Sequence, residues 1–152
     1  MKKKGFTLIE LMIVVVIIGV LAGLAINRYN EVTTQAKYSQ ARILLNRIYK
    51  ALSQFYAETG CFPDDVSRNT PPPGLCPDYL EEWPSREDDP FGTCYDYENH
   101  GGNIVITYLG KDDIHSMSWL FAAVNADPGE IIEIPGHDDL VIVVAEGVGT
   151  CP

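Results

Sequence analysis

Between Phe6 and Ile26 the chain runs for 21 residues with a single charge, Glu10. As an α-helix, at ~1.5 Å rise per residue, this stretch is roughly 31 Å long, which matches the hydrocarbon core of a bilayer. Lys2, Lys3 and Lys4 precede it. Lysines beside a span stay on the cytoplasmic side, which puts the C-terminal bulk across the membrane. A cleaved secretory signal is the rival reading, with Gly23-Leu24-Ala25 as its small-residue cleavage site. Against it, the apolar run exceeds the ~7–15 residues of such signals. An ionisable residue inside a span is costly and marks a role; the plainer alternative is that Glu10 favours the positive end of the helix dipole. Gly19 and Gly23 form a small-xxx-small pair that lets helices approach closely, although glycine is also common in spans.

A second segment follows. From Arg28 to Glu58 there is neither proline nor glycine. Ala41, Leu44, Leu45, Ile48, Ala51, Leu52 and Phe55 recur at helical spacing, so one face is expected to bury against a sheet of the same chain. Gly60 and Pro63 end the helix. One helix from Phe6 to Ala57 is roughly 78 Å long. The expected divisions are 1–5, a short basic leader; 6–26, a membrane-spanning helix segment; 27–58, an amphipathic helix segment; and 59–152, a globular head.

Charge divides along the same line. The chain carries 11 Lys+Arg against 21 Asp+Glu, a net −10. From Glu58 onward there are 3 basic and 19 acidic residues, a net −16. A phosphate backbone needs a basic footprint, so no direct nucleic-acid contact is expected. The basic helix and acidic head are complementary surfaces for neighbouring copies, with simple solubility the alternative. Tyr29, Tyr38, Tyr49 and Tyr56 on the helix read as packing residues.

In the head, Pro71-Pro72-Pro73 marks 69–77 as loop. Residues 94–98, 103–109 and 140–145 read as strands, with Gly101-Gly102 turning the first two into a hairpin. Residues 131–134 are a short strand candidate, and 116–124 lean to strand. The expected fold is α+β, a long N-terminal helix packed on a small antiparallel sheet. His100, His115 and His137 are scattered, and no phosphate-cradling loop, nucleophile elbow or H-E-x-x-H is present, so no enzyme is expected.

Gly5-Phe6-Thr7-Leu8-Ile9-Glu10-Leu11 closely resembles the prepilin signature of the type IV pilin superfamily. The resemblance implies that prepilin peptidase cleaves between Gly5 and Phe6 and methylates the new amine of Phe6. It also implies that Glu10 pairs with the N-terminal amine of a neighbouring subunit during filament assembly. Two charges that are each costly in an apolar medium cost less together, and such a pair specifies register better than it stabilises. Many family members carry proline where this chain has Asn27, so that kink is absent from the expectation. The implied product is a structural subunit of a type IV pilus or a type II secretion pseudopilus. It would move from the inner membrane to a periplasmic or extracellular filament. Its partners would be copies of itself, other pilins or pseudopilins, an assembly ATPase and an inner-membrane platform protein. The alternative is a minor or tip pilin whose acidic head binds a ligand, surface or partner protein.

A second resemblance lies in the head. Phe62-Pro63, Tyr79-Leu80, Trp83-Pro84, Asp89-Pro90-Phe91-Gly92 and Tyr95-Asp96-Tyr97 look like the major pseudopilin of type II secretion, followed by a Leu-Gly-x-Asp-like segment at Leu109 to Asp113. Together the two resemblances reach Asp113. In those pseudopilins the loop after the sheet often binds calcium, which implicates Asp112, Asp113 and Asp127, with Glu130, Asp138 and Asp139 as further oxygen donors in that half of the chain and a merely solvated acidic loop as the alternative. No other cofactor is expected. Cys61, Cys76, Cys94 and Cys151 all lie in the segment placed outside the cytoplasm and lack C-x-x-C spacing, which favours two disulfides over zinc. Four cysteines allow three pairings, and sequence does not choose among them. The resemblance to pilins with a C-terminal bridge favours Cys94–Cys151, leaving Cys61–Cys76 to close the proline-rich loop. Most secretion pseudopilins lack such bridges, a departure toward a pilin or minor pilin.

Overall fold

The computed structural model describes residues 5–115, 126–149 and 151. The lysines of the expected leader and the 116–124 segment lie outside these residues. The element order is one helix, α1 (Leu8–Thr59), then β1 (Tyr95–His100), β2 (Asn103–Tyr108), β3 (Ile131–Glu133) and β4 (Leu140–Ala145). The chain divides into two compact units, Met1–Ala36 and Lys37–Pro152.

In the first unit α1 starts on a reciprocal cap. The Thr7 backbone N–H donates to Glu10 Oε2 at 2.8 Å, the Thr7 hydroxyl donates to the same oxygen at 2.6 Å, and the Glu10 N–H points back at Thr7 Oγ1 at 3.4 Å. This is a capping box, in which two orphan amides at the helix start find partners in each other's side chains. Every Phe, Leu, Ile, Met and Val from Phe6 to Ile26 is at least 47% exposed. By length and composition this stretch can cross a membrane.

In the second unit the helix buries Ala41, Leu45, Ile48, Ala51, Leu52 and Phe55. Ala41, Leu45, Ile48, Leu52 and Phe55 follow one another at intervals of four and three, with Ala51 beside Leu52, which keeps one stripe facing the sheet. The helix stops where Gly60 turns left-handed (φ 77°) and its N–H returns to Tyr56 O at 2.8 Å.

The sheet is antiparallel with order β1-β2-β4-β3. Tyr95, Tyr97, Ile104, Ile106, Tyr108, Leu140 and Ile142 join the helix stripe in the main core. Val105, Val141, Val143 and Ile134 form a second cluster, as period-two alternation requires. Gly101 and Gly102 both hold positive φ (65° and 94°), the geometry of a tight hairpin that follows strand twist. Gly102 is fixed further, because a Cβ there would lie 2.1 Å from Val148 O.

Both outer strands have managed edges. Along β1, Asn69 N–H donates to Tyr95 O, and Asn99 N–H donates to Asp65 Oδ1 at 3.0 Å. At the other side β3 is three residues long, and its Glu133 pairs with Arg42 of α1.

The expected α+β fold and the three longer strands agree with this architecture, β4 residue for residue and the ends of β1 and β2 within two residues. The disulfides differ from expectation. Cys61 bonds Cys151 (Cα–Cα 4.9 Å), and Cys76 and Cys94 are free thiols. The C-terminal segment returns beside Phe62, whose N–H donates to Gly149 O while its carbonyl accepts from Cys151 N–H at 2.9 Å. That two-bond ladder delivers Cys151 to Cys61. Cys94 is instead buried beside Arg86, whose Nη2 lies 3.5 Å from the sulfur.

Candidate functional site

The N-terminal residues singled out in the sequence occupy one helical turn and its continuation. Glu10 spends Oε2 on Thr7, so within its own chain its carboxylate is already an acceptor at the helix start. The Thr7-x-x-Glu10 spacing carries this signal in the sequence. Gly19 and Gly23 meet nothing within 4 Å where a Cβ would stand. Within a single chain, nothing requires either to be small.

The Asp89-Pro90-Phe91-Gly92 motif is a turn organised by one carboxylate. Asp89 Oδ1 accepts from Phe91 N–H (2.9 Å), Thr93 N–H (3.2 Å) and the Tyr108 hydroxyl (3.2 Å). Gly92 closes the turn with its N–H on Asp89 O and a φ of 72°. Phe91 then packs on Tyr38, with ring centroids 5.1 Å apart, and Lys37 Nζ lies 4.6 Å from the Phe91 centroid. Of the other helix tyrosines, Tyr56 stacks on Phe62 and Tyr29 is exposed.

The three carboxylates implicated in calcium binding do not come together. Asp113 makes a two-pronged pair with Arg86 (2.8 and 3.1 Å) and accepts from Thr93 Oγ1. The Asp127 N–H bonds Glu130 Oε2 in a local turn. Asp112 instead meets Asp138 and Asp139, with one oxygen of each within 4.8 Å of the others. Asp138 Oδ2 accepts from Tyr38 OH (2.9 Å) and Lys111 N–H (2.6 Å), while its buried Oδ1 has no hydrogen-bond partner. Burial opposes ionisation of Asp138, but those donors hold its carboxyl below the usual range. Burial pushes the Tyr38 phenol up to about 12, and Asp138 adds to the shift. Gly110 permits this approach, since a Cβ there would strike Asp138. The donor set is all oxygen, the chemistry calcium takes.

A further cluster joins residues from two separate parts of the sequence. Asp96 and Glu98 share one side of β1, and His115 Nε2 lies 3.6 Å from Asp96 Oδ2 and 3.4 Å from Glu98 Oε1. Burial first, and then Glu98, raise the Asp96 carboxyl to about 6. Glu98 is also penalised by burial, but His115 and His100 hold it below the ordinary value. The i, i+2 spacing of the acids was visible; the approach of His115 depends on the chain returning after β2.

Comparison with known proteins bears on the N-terminal segment first. Residues 1–26 match the prokaryotic N-terminal methylation motif. The chain is 43% identical over 63 residues to the type IV major pilin protein PilE of Neisseria gonorrhoeae, covering 41% of this chain and 38% of that protein. It is 30% identical over 133 residues to the type IV major pilin protein PilA of Myxococcus xanthus, covering 86% of this chain and 58% of the relative. It is 43% identical over 63 residues to the fimbrial protein EcpC of Eikenella corrodens, covering 41% of each. No solved structure matches the chain significantly. The methylation motif and the pilin relatives support placing the chain in the type IV pilin superfamily. The relatives are structural pilins rather than enzymes. The chain spans between 38% and 58% of the length of these three relatives. The motif and the apolar helix fit a membrane anchor followed by a place in a filament.

Proposed function

We propose that this chain is a structural subunit of a type IV pilin-like filament, cut between Gly5 and Phe6 by prepilin peptidase, methylated at Phe6 and polymerised through α1. The observation that carries the reading is the pairing of a capped helix start, Thr7 with Glu10, to an apolar stretch whose large side chains are exposed throughout. A membrane covers such a stretch before assembly, and the helices of neighbouring copies cover it afterwards. Gly19 and Gly23, open on all sides, are the positions where another helix can come closest. Glu10 sets the register by meeting the amine of a neighbour's Phe6. An assembly ATPase and an inner-membrane platform protein would extract the subunit. The Cys61–Cys151 bridge and the pilin relatives favour a pilus over a secretion pseudopilus. Calcium, if used, would be held by Asp112, Asp138 and Asp139, tying the 110–112 turn to the start of β4.

The test is the intact mass of the native protein from membranes and from sheared surface material. A chain beginning at methylated Phe6 is expected, abundant in the sheared fraction. A chain beginning at Ile26 would mean ordinary signal cleavage and the end of the filament reading. Glu10→Ala should leave the precursor present and abolish or impair assembly. Normal assembly by that variant would remove the pairing role from Glu10.

A further inference from the structure

Alternation along β1 divides its side chains between two faces. Tyr95 and Tyr97 go to the main core, while Asp96, Glu98 and His100 share the other face. Asp96 and Glu98 are each 8% exposed, so two carboxylates two residues apart are nine-tenths buried on one side of the sheet. Burying like charges together is costly unless a cation meets them. Arg68 comes no closer than 3.8 Å, with its Nε facing Asp96 Oδ2, and Asp65 acts on Asp96 in the opposite sense. These two neighbours offset each other and leave the charge of the pair to be met by something else.

His115 approaches that pair from the chain beyond β2. Its buried Nε2 has no hydrogen-bond partner. It stands 3.6 Å from Asp96 Oδ2 and 3.4 Å from Glu98 Oε1, beyond the roughly 2.7–2.9 Å at which a protonated imidazole binds a carboxylate. These are instead the separations that a metal ion imposes on its ligands. Two donors bonded at about 2.0–2.2 Å to one tetrahedral ion stand about 3.3–3.6 Å apart. One ligand atom from each of the three residues lies within 4.8 Å of the others. Glu98 is also held from behind, because the Thr107 hydroxyl donates to Oε2 at 3.2 Å and leaves Oε1 beside His115. Outer partners of this kind orient a metal-binding carboxylate.

The donor set narrows the ion. Calcium takes six to eight oxygens, whereas imidazole nitrogen suits zinc, copper, iron and nickel. Asp112, Asp138 and Asp139 offer oxygen alone; Asp96, Glu98 and His115 offer one nitrogen and two carboxylates. We propose that Asp96, Glu98 and His115 bind a zinc ion, with water in the fourth position. His100 Nε2 lies 3.4 Å from Glu98 Oε1, so a second imidazole borders the site. The ion neutralises the two buried carboxylates and ties the chain after β2 to the edge strand β1.

The test uses the full-length chain in a non-ionic detergent, stripped of metal with EDTA and exchanged into a non-coordinating buffer. The stripped chain is also the form in which protonation alone governs the cluster. Zinc chloride is titrated by calorimetry and against a chromophoric zinc indicator, with calcium chloride as the oxygen-seeking control. One saturable zinc per chain and a raised thermal midpoint are expected, both unaffected by a large excess of calcium. His115→Ala removes a side chain that is 19% exposed and should weaken zinc binding by at least about tenfold, since even a lost outer partner costs about 10–100-fold. Glu98→Gln should do the same, which keeps the test decisive if the His115 variant misfolds. Asp112→Asn should bind zinc as the parent does. Absence of saturable zinc binding, affinity indifferent to either His115→Ala or Glu98→Gln in a folded chain, loss of binding in Asp112→Asn, or displacement of zinc by calcium would each overturn the proposal. Indifference to His115→Ala would place the ion on Cys76, Cys94 or another histidine instead. Zinc is read on unpolymerised subunits, so failure here and failure of the filament reading are separate results.

Discussion

Cys61 and Cys151 are joined at the end of a two-bond ladder in which Phe62 both donates to Gly149 and accepts from Cys151. The bridge closes a loop with a sequence separation of 90 residues. In the chain-entropy picture such a loop is worth about 4–5 kcal/mol. Cys151→Ser should therefore lower the thermal midpoint markedly, as followed by circular dichroism. Alkylation of the denatured protein should label two thiols, Cys76 and Cys94, before reduction and all four cysteines afterwards.

Leu45 and Ile43 lie two residues apart on α1 with opposite surroundings, fully buried and 63% exposed. Leu45→Ala should cost about 2–5 kcal/mol in urea unfolding, because it leaves a cavity between helix and sheet. Ile43→Ala should stay within about 0.5 kcal/mol of the parent. If the outer helix face is an assembly surface, the second variant reduces filament yield at unchanged subunit stability.

The Asp96–Glu98–His115 cluster gives stability a pH dependence with a definite sign. Asp96 keeps its proton in the folded state up to about 6, whereas an unfolded aspartate loses it near 4, so its contribution falls as pH rises between about 4 and 6. The His115 value is raised by Glu98. Its contribution is complete below the unfolded value of about 6.5 and is lost as pH climbs through the folded one. Glu98, held low, works in the other direction and loses its contribution as pH falls through its folded value. Asp96→Asn should flatten the decline between about pH 4 and 6, measured by urea unfolding across that window.

Calcium should raise the thermal midpoint of the full-length chain if Asp112, Asp138 and Asp139 form its site. At a concentration one hundred times the dissociation constant, the gain is about 2.7 kcal/mol. Asp112→Asn retains an oxygen for the Ile114 N–H now bonded to Asp112 Oδ1 and should remove most of the calcium shift. An equal shift in parent and variant would place the ion elsewhere.

Local pattern carried most of the fold. The 41–55 stripe, the Gly101-Gly102 hairpin and the 131–134 strand each depend on residues within one turn or one strand of each other. What was illegible depends on long returns of the chain. Cys151 reaches Cys61 only because the last residues pair with Phe62, and no spacing rule encodes that. Asp112 meets Asp138 rather than Asp113 because Gly110 admits the turn before β4. Adjacent residues such as Asp112 and Asp113 face different partners, so counting acids in a loop could not sort them. The cap at Thr7 is local, and the Thr7-x-x-Glu10 spacing encodes it.

The way the sheet ends governs how copies of this chain are able to meet. A bare, long strand edge is a template on which another chain can add itself, in register or out of it. Here the 65–69 segment occupies part of the outer side of β1, and β3 offers only three residues with Arg42 clasped to its Glu133. Among the described residues the head gives a second chain little backbone to grip. Covered and shortened edges of this kind keep heads that come close together from adding strand to strand in amyloid-like stacks.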